Sequence, residues 1–205
     1  MGQESKHLER LWDAGFPMTI VDRYFPELEC PSIVSDNYQG ALDGVNYLLE
    51  NNHRIIGCIQ GFLNTSVNDD RVRGYRNAHK THNITFDDSL IVGDSFGEQN
   101  GYISAKILLN RTVKPTAFFT FSNLICLGAI RAILEENLRI PEDISIVSFD
   151  DHPYASYLST PITTIVQQKD EMGVLASKLL TDQIKSGIRY NTKGVVPVSY
   201  THLRA

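Results

Sequence analysis

Short, nearly continuous apolar runs alternate with amphipathic stretches along most of the chain. Met18-Thr19-Ile20-Val21, Ser32-Ile33-Val34-Ser35, Ile55 to Ile59, Leu90-Ile91-Val92, Thr116 to Thr120, Ile144 to Phe149 and Thr163 to Val166 are predicted strands. Runs this short and this uniformly apolar fit strands buried on both faces. The segments between them carry helical periodicity. A first helix has Leu8, Leu11 and Trp12 on one face and is stopped by Gly15 and Pro17. A second starts at Asn37 and places Ala41, Val45, Leu48 and Leu49 together. Others are predicted around Gly74-Tyr75 to Lys80, over Glu98 to Leu109, over about Asn123 to Glu136, and from about Lys169 to Lys185 with Gly187 ending it. The polar stretch from Asn64 to Asp70 reads as a loop.

Strands that alternate with helices predict an α/β fold with parallel sheet covered on both faces. Right-handed crossovers then bring every strand's carboxyl end to one edge of its sheet, the edge where ligands bind in open α/β sheets. The residues at those ends are Asp22, Asp36, Gln60, Asp94, Ser122 with Asn123, and Asp150 with Asp151. Taken alone, the last pair suits a turn cap as well as a binding site. Asp69-Asp70-Arg71-Val72-Arg73-Gly74-Tyr75 crowds cations and acids into one stretch. An Arg there can hold a ligand oxygen in a forked hydrogen bond or simply close a surface salt bridge.

Composition narrows the function classes. The 205 residues are 42% hydrophobic and 21% charged, ordinary for a globular chain of one sizeable domain or two small ones. A net charge of −5 gives nucleic-acid binding by this chain little electrostatic support. Cys30, Cys58 and Cys126 have no metal-binding spacing and read as small buried hydrophobes of a reducing cytoplasm. No apolar run approaches a membrane span, and no signal-peptide core follows Met1. The chain therefore reads as soluble and cytoplasmic. Neither GxGxxG nor GxxxxGK[ST] occurs, which removes the main support for a nucleotide cofactor. His79 and His82 lack a visible third metal ligand and read as a solvated helix end, and Asp150 with His152 lacks a nucleophile motif. Binding is the better reading than turnover.

Taken together and in order, the segments resemble the regulatory domain of the LacI/GalR family of bacterial transcription repressors. Val21-Asp22-Arg23, Ser35 to Ala41, Asn52 to Ile56, Arg71 to Tyr75, Gly93-Asp94 and Asn100-Gly101-Tyr102 carry the likeness. So do Pro115 to Phe119, Leu127 to Ala132, Ile140 to Asp151, Pro161 to Ile165, Gln167 and Glu171-Met172-Gly173. The resemblance runs from about residue 15 to 190. It implies a periplasmic-binding-protein-like fold: two Rossmann-like subdomains with parallel sheets and a small effector held between them. Residues 38–167 would form the C-terminal subdomain, and 1–37 with 168–197 an incomplete N-terminal one.

The resemblance also implies a function without a catalysed reaction, cofactor or metal: sensing a sugar or sugar derivative that modulates operator binding by a full-length homodimer. A transport-type sugar-binding protein of the same fold is the alternative. Arg71 matches the family's effector-binding Arg, Asp150 the cleft Asp that takes sugar hydroxyls, and Asn123 the Asn of an Asn-Asp pair. Asp22 and Asp36 match acids lining the cleft, Thr65 and Val67 fall at loop positions that touch ligand, and Phe96 is a candidate stacking platform. Leu124 stands where the family has Asp, and Ser148 where it has Gly. The family's helix-turn-helix, the hinge helix and the first strands do not precede Met1, so operator DNA would be reached only through a missing module. Residues 198–205 match the translation of a transposon-library sequencing adapter and are expected to be foreign to the protein.

Overall fold

The computed structural model describes residues 5–151, 161–189, 195–198 and 200–204. By packing, the chain divides into two compact units, Met1–Asp36 with Asn64–Val67 and Gln168–Tyr200, and Asn37–Leu63 with Asn68–Gln167 and Thr201–Ala205.

In the first unit, α1 (Lys6–Asp13) precedes β1 (Ile20–Val21) and β2 (Ser32–Ser35), and α6 (Lys169–Ser186) leads towards β8 (Val195–Val198). The three strands form a parallel sheet in the order β1-β2-β8. Helix α6 lays Met172 and Ala176 against Ile33, with Leu175 and Leu179 beside them. Trp12, Leu28 and Cys30 form a second cluster with Leu8, Met18, Ile20 and Phe25. Gly187 ends α6 in the left-handed conformation at φ +66°, where its N–H still reaches the Gln183 carbonyl at 3.1 Å.

The second unit contains α2 (Asn37–Glu50), β3 (Ile56–Ile59), α3 (Ser66–Thr81) from Asn68 onward, β4 (Ile91–Val92) and α4 (Glu98–Leu109), then β5 (Ala117–Thr120), α5 (Asn123–Glu135), β6 (Ser145–Phe149), β7 (Thr163–Gln167) and β9 (Tyr200–Arg204) from Thr201 onward. Its sheet order is β4-β3-β5-β6-β7-β9, and the pairs from β4 to β7 are parallel. Every residue of β3 and β5 is buried, as expected for strands covered on both sides. Alternation along the strands separates the faces. Phe119, Val147 and Phe149 point at α2, where Gly40 and Gly44 leave room for Phe149 and Ile165. On the opposite face, Gly57 leaves room for Leu108 of α4 and for Phe118. Helices α4 and α5 approach so closely that a Cβ on Gly101 would lie 2.0 Å from the Ile125 carbonyl oxygen, and one on Gly128 at 2.0 Å from that of Glu98.

Two expectations need correction. The polar stretch from Asn64 is a loop only to Thr65, since α3 starts at Ser66. Its buried side carries Val67, Asn68, Arg71, Tyr75, Ala78 and His79, and the polar members of that set hide the helical periodicity. His79 is likewise not a solvated helix end. It is fully buried, its ring 4.5 Å from Tyr75 and 5.5 Å from Phe86 between centroids. Its Nδ1 lies 2.9 Å from the Tyr75 carbonyl, which only accepts, so Nδ1 carries the proton, and Nε2 has no hydrogen-bond partner among the described residues.

Gly128→Ala should cost about 1–3 kcal/mol by forcing α4 and α5 apart, read as a lower urea midpoint. Burial holds the His79 imidazole below its ordinary pKa. The unfolded chain therefore binds more protons, and stability falls as pH drops below about 6.5. Acid sensitivity in urea melts between pH 7 and 5 should be smaller in His79→Gln, whereas equal sensitivity would exclude this contribution.

Candidate functional site

The carboxyl edge of the six-stranded sheet is organised by Arg71. It projects from α3 and is 2% exposed. Its Nε donates to Asn37 Oδ1 at 2.8 Å, its Nη1 donates to the Phe121 carbonyl, and its guanidinium lies 3.7 Å above the centre of the Phe149 ring. The first residue of α2, the residue after β5 and the last residue of β6 thus meet on one side chain. Desolvation strengthens both the hydrogen bonds and the cation–π contact, and the planar group is fixed in orientation. Arg73, by contrast, is exposed and pairs with the half-buried Asp70 at 2.9 Å.

Beside Arg71, β6 ends at Asp150, whose backbone is left-handed at φ +68°. Asp tolerates this conformation better than most residues. The Asp150 N–H still pairs with the Ile165 carbonyl at 3.0 Å, and Oδ1 accepts from Gln167 Nε2 at 2.6 Å. Asn123, the first residue of α5, donates from Nδ2 to the Asp151 carbonyl at 3.3 Å. Ser122 caps that helix, accepting from the Ile125 N–H at 3.3 Å. Ser148 is fully buried, with its hydroxyl 3.3 Å from the Ser122 carbonyl, so the extra oxygen has an acceptor. Leu124, by contrast, is exposed.

Further along the edge, Phe96 packs over Gly61 and meets Phe62 edge-on with centroids 5.8 Å apart. Asn100 shapes that loop, accepting from the Asp94 N–H at 3.1 Å and donating to the Gln60 carbonyl at 3.0 Å. Arg71, Asn123, Asp150 and Phe96 therefore belong to one sheet edge. Asp22 and Asp36 belong to the first unit, directly after β1 and β2. Asp22 is exposed at φ +79° and sits 3.5 Å from Arg23, while Asp36 is half-buried. Thr65 and Val67 are both buried, and Val67 lies in the first turn of α3 rather than in a loop. His152 lies outside the described residues.

Reading strand ends alone did not single out Asn37, Asn68 or Gln167 as site residues. Asn68 is 2% exposed, accepts from the Gly61 N–H at 2.9 Å and donates to Gln60 at 3.2 Å. Its signal was an amide seven residues after Gly61 on what proves to be the buried side of α3. Among the described residues, no group of three His, Cys, Asp or Glu side chains is placed to hold a metal. Burial raises the thiol pKa of Cys30 to about 11 and that of Cys126 to about 12, so both stay protonated at neutral pH. The edge offers fixed donors and acceptors for a polar ligand.

The profile of the periplasmic binding protein-like domain matches residues 45–204. The chain belongs to that family. Within it, the chain is 38% identical over 170 residues to the ribose operon repressor of Haemophilus influenzae, covering 83% of this chain and 51% of that protein. It is 36% identical to the HTH-type transcriptional repressor CytR of Escherichia coli K12, covering 82% and 50% respectively. The chain thus spans about half the length of these curated relatives. Among solved structures, a LacI-family regulatory protein from Chloroflexus aggregans superposes with a TM-score of 0.85 at 26% identity, covering 95% of this chain and 69% of that one. The transcriptional regulator CelR in complex with cellobiose superposes at 0.84 with 30% identity, covering 95% and 59%. The parallel α/β fold and the LacI/GalR resemblance read from the sequence are borne out. No helix among the described residues is long and apolar enough to cross a membrane.

The Arg71 contacts carry a stability prediction. Arg71→Met strips the donors from Asn37 and the Phe121 carbonyl, each buried acceptor so exposed being worth about 1–3 kcal/mol. The urea midpoint should fall accordingly, and an unchanged midpoint would show that the buried guanidinium does not hold these elements together.

Proposed function

We propose that this chain is the effector-sensing part of a LacI/GalR-type transcriptional repressor and that its ligand is a sugar or sugar derivative. The observation that carries the reading is the buried Arg71 fork on the same sheet edge as the Asp150 carboxylate and Asn123, each held by its own hydrogen bond. Alternating donors and acceptors of this kind suit vicinal hydroxyls, which both donate and accept. The names of the ribose operon repressor and of the CelR–cellobiose complex support a carbohydrate.

Asp22, Asp36, Thr65, Val67 and Phe96 complete the proposed contact set, with residues 38–167 as one subdomain and 1–37 with 168–197 as part of the other. Residues 198–205 are proposed to be foreign to the gene. Effector binding makes or breaks no bond in this reading. It biases the arrangement of the subdomains, and so the grip of a cytoplasmic homodimer on its operator, through a DNA-binding module outside this chain. Repressors among the relatives favour this over a transport protein.

Calorimetric titration of the full-length protein with ribose, cellobiose and other small sugars should find one ligand that also changes operator affinity. Asp150→Asn keeps the side chain's size and should weaken that ligand about tenfold or more, as expected when a charged hydrogen-bond partner is lost. Unchanged affinity and unchanged operator response in both Asp150→Asn and Arg71→Lys would rule out the site.

A further inference from the structure

The opposite, amino-terminal edge of the six-stranded sheet holds a solvent-open cavity of about 610 Å³. The segments before β3 and β4 and the turn after α4 enclose it, which separates it from the carboxyl edge carrying Arg71 and Asp150. Its volume lies within the range of small-molecule sites, about 300–1,000 Å³.

Its chemistry is asymmetric. Ile55, Phe86, Leu90 and Val113 give it an apolar floor and wall, and Arg54 and Arg111 line the same space. Phe86 is held in place by edge-on contact with Tyr75, centroids 6.0 Å apart, and by His79 behind it. Arg111 is anchored: its Nη2 donates to Asp87 Oδ2 at 2.8 Å and its Nη1 to the Ser89 carbonyl at 3.1 Å, while its buried Nε has no partner among the described residues. The Asp87 carboxyl is held below its ordinary pKa, chiefly by the Ser89 hydroxyl and N–H, with Arg111 adding to the effect. That ion pair is neutral overall. Arg54 is exposed and uses Nη1 on the Leu49 and His53 carbonyls, at 2.7 and 3.0 Å, which fixes the guanidinium without neutralising it. Among the described residues Arg54 has no ion-pair partner, so a positive charge without a counter-charge lines the same cavity as these apolar side chains.

We propose that this cavity is a second small-molecule site, selective for an organic anion whose apolar body lies on Phe86, Leu90 and Val113 and whose carboxylate or phosphate meets Arg54. Neutral ligands of the same shape forgo the charge-assisted hydrogen bond, and bare inorganic anions forgo the wall.

Calorimetric titration of the chain with benzoate, phenyl phosphate, benzyl alcohol and inorganic phosphate tests this directly. Benzoate or phenyl phosphate should bind with one-to-one stoichiometry, and whichever is tighter identifies the head group. Benzyl alcohol and inorganic phosphate should each be about tenfold weaker or worse. Arg54→Gln and Val113→Asp should each reduce affinity by a similar factor, and Val113→Asp, at an exposed position without a hydrogen bond to lose, should do so with the thermal melt unchanged. The proposal fails if neither organic anion saturates, if inorganic phosphate binds as well as phenyl phosphate, if benzyl alcohol matches benzoate, or if neither variant weakens binding. Because Arg71 and Asp150 take no part, these outcomes are independent of the effector reading.

Discussion

A single buried cation ties the second unit's carboxyl edge together. Arg71 brings its charge into a place that excludes water, and such a group is tolerated only where hydrogen bonds and an aromatic face replace its hydration. Asn37, the Phe121 carbonyl and the Phe149 ring supply that replacement. Because these partners belong to the start of α2 and the ends of β5 and β6, satisfying Arg71 sets three elements relative to one another. The residues next to them inherit that order: Ser122 and Asn123 follow Phe121, and Asp150 follows Phe149. A rigid edge of this kind loses little conformational freedom on binding a polar ligand.

The sheet beneath that edge is held by close approach as much as by bulk. Gly40 and Gly44 admit Phe149 and Ile165 on one face, and Gly101 with Gly128 lets α4 and α5 touch backbone to backbone on the other. Phe149 connects the two themes, since one side of its ring environment is the α2 glycines and another the Arg71 guanidinium. Core packing and site geometry are therefore one arrangement. A change that loosens α2 against β6 disturbs the floor on which Arg71 rests.

Much of the fold was legible because its signals are local. The helix Glu98–Leu109, the strand Ser32–Ser35 and the start of α5 at Asn123 fall where periodicity and capping place them. Strand ends shift by a residue or two, as at Ile55 and Thr116, because those carbonyls and amides pair just outside the ladder's regular part. The start of α3 was illegible for a definite reason: Asn68, Arg71 and His79 occupy its buried side, and a rule that equates polar with exposed assigns them to a loop or to solvent. His79 shows the same failure most plainly. Nothing in its sequence neighbourhood announces that Tyr75 and Phe86 will enclose it.

The sequence by itself determined the alternation of strands and helices, the parallel α/β class, the family likeness, and the set of polar residues at strand ends. Those follow from short-range spacing, which a single chain displays in full. Only the tertiary structure decided which of those polar residues are buried, and by what. Arg71 and Arg73 are two residues apart on one helix and chemically identical. One is sealed between Asn37 and Phe149, the other mostly exposed and paired with the half-buried Asp70. That difference arises from the direction in which α3 faces the sheet, and burial then turns the same guanidinium from a screened surface charge into a fixed part of the sheet's carboxyl edge.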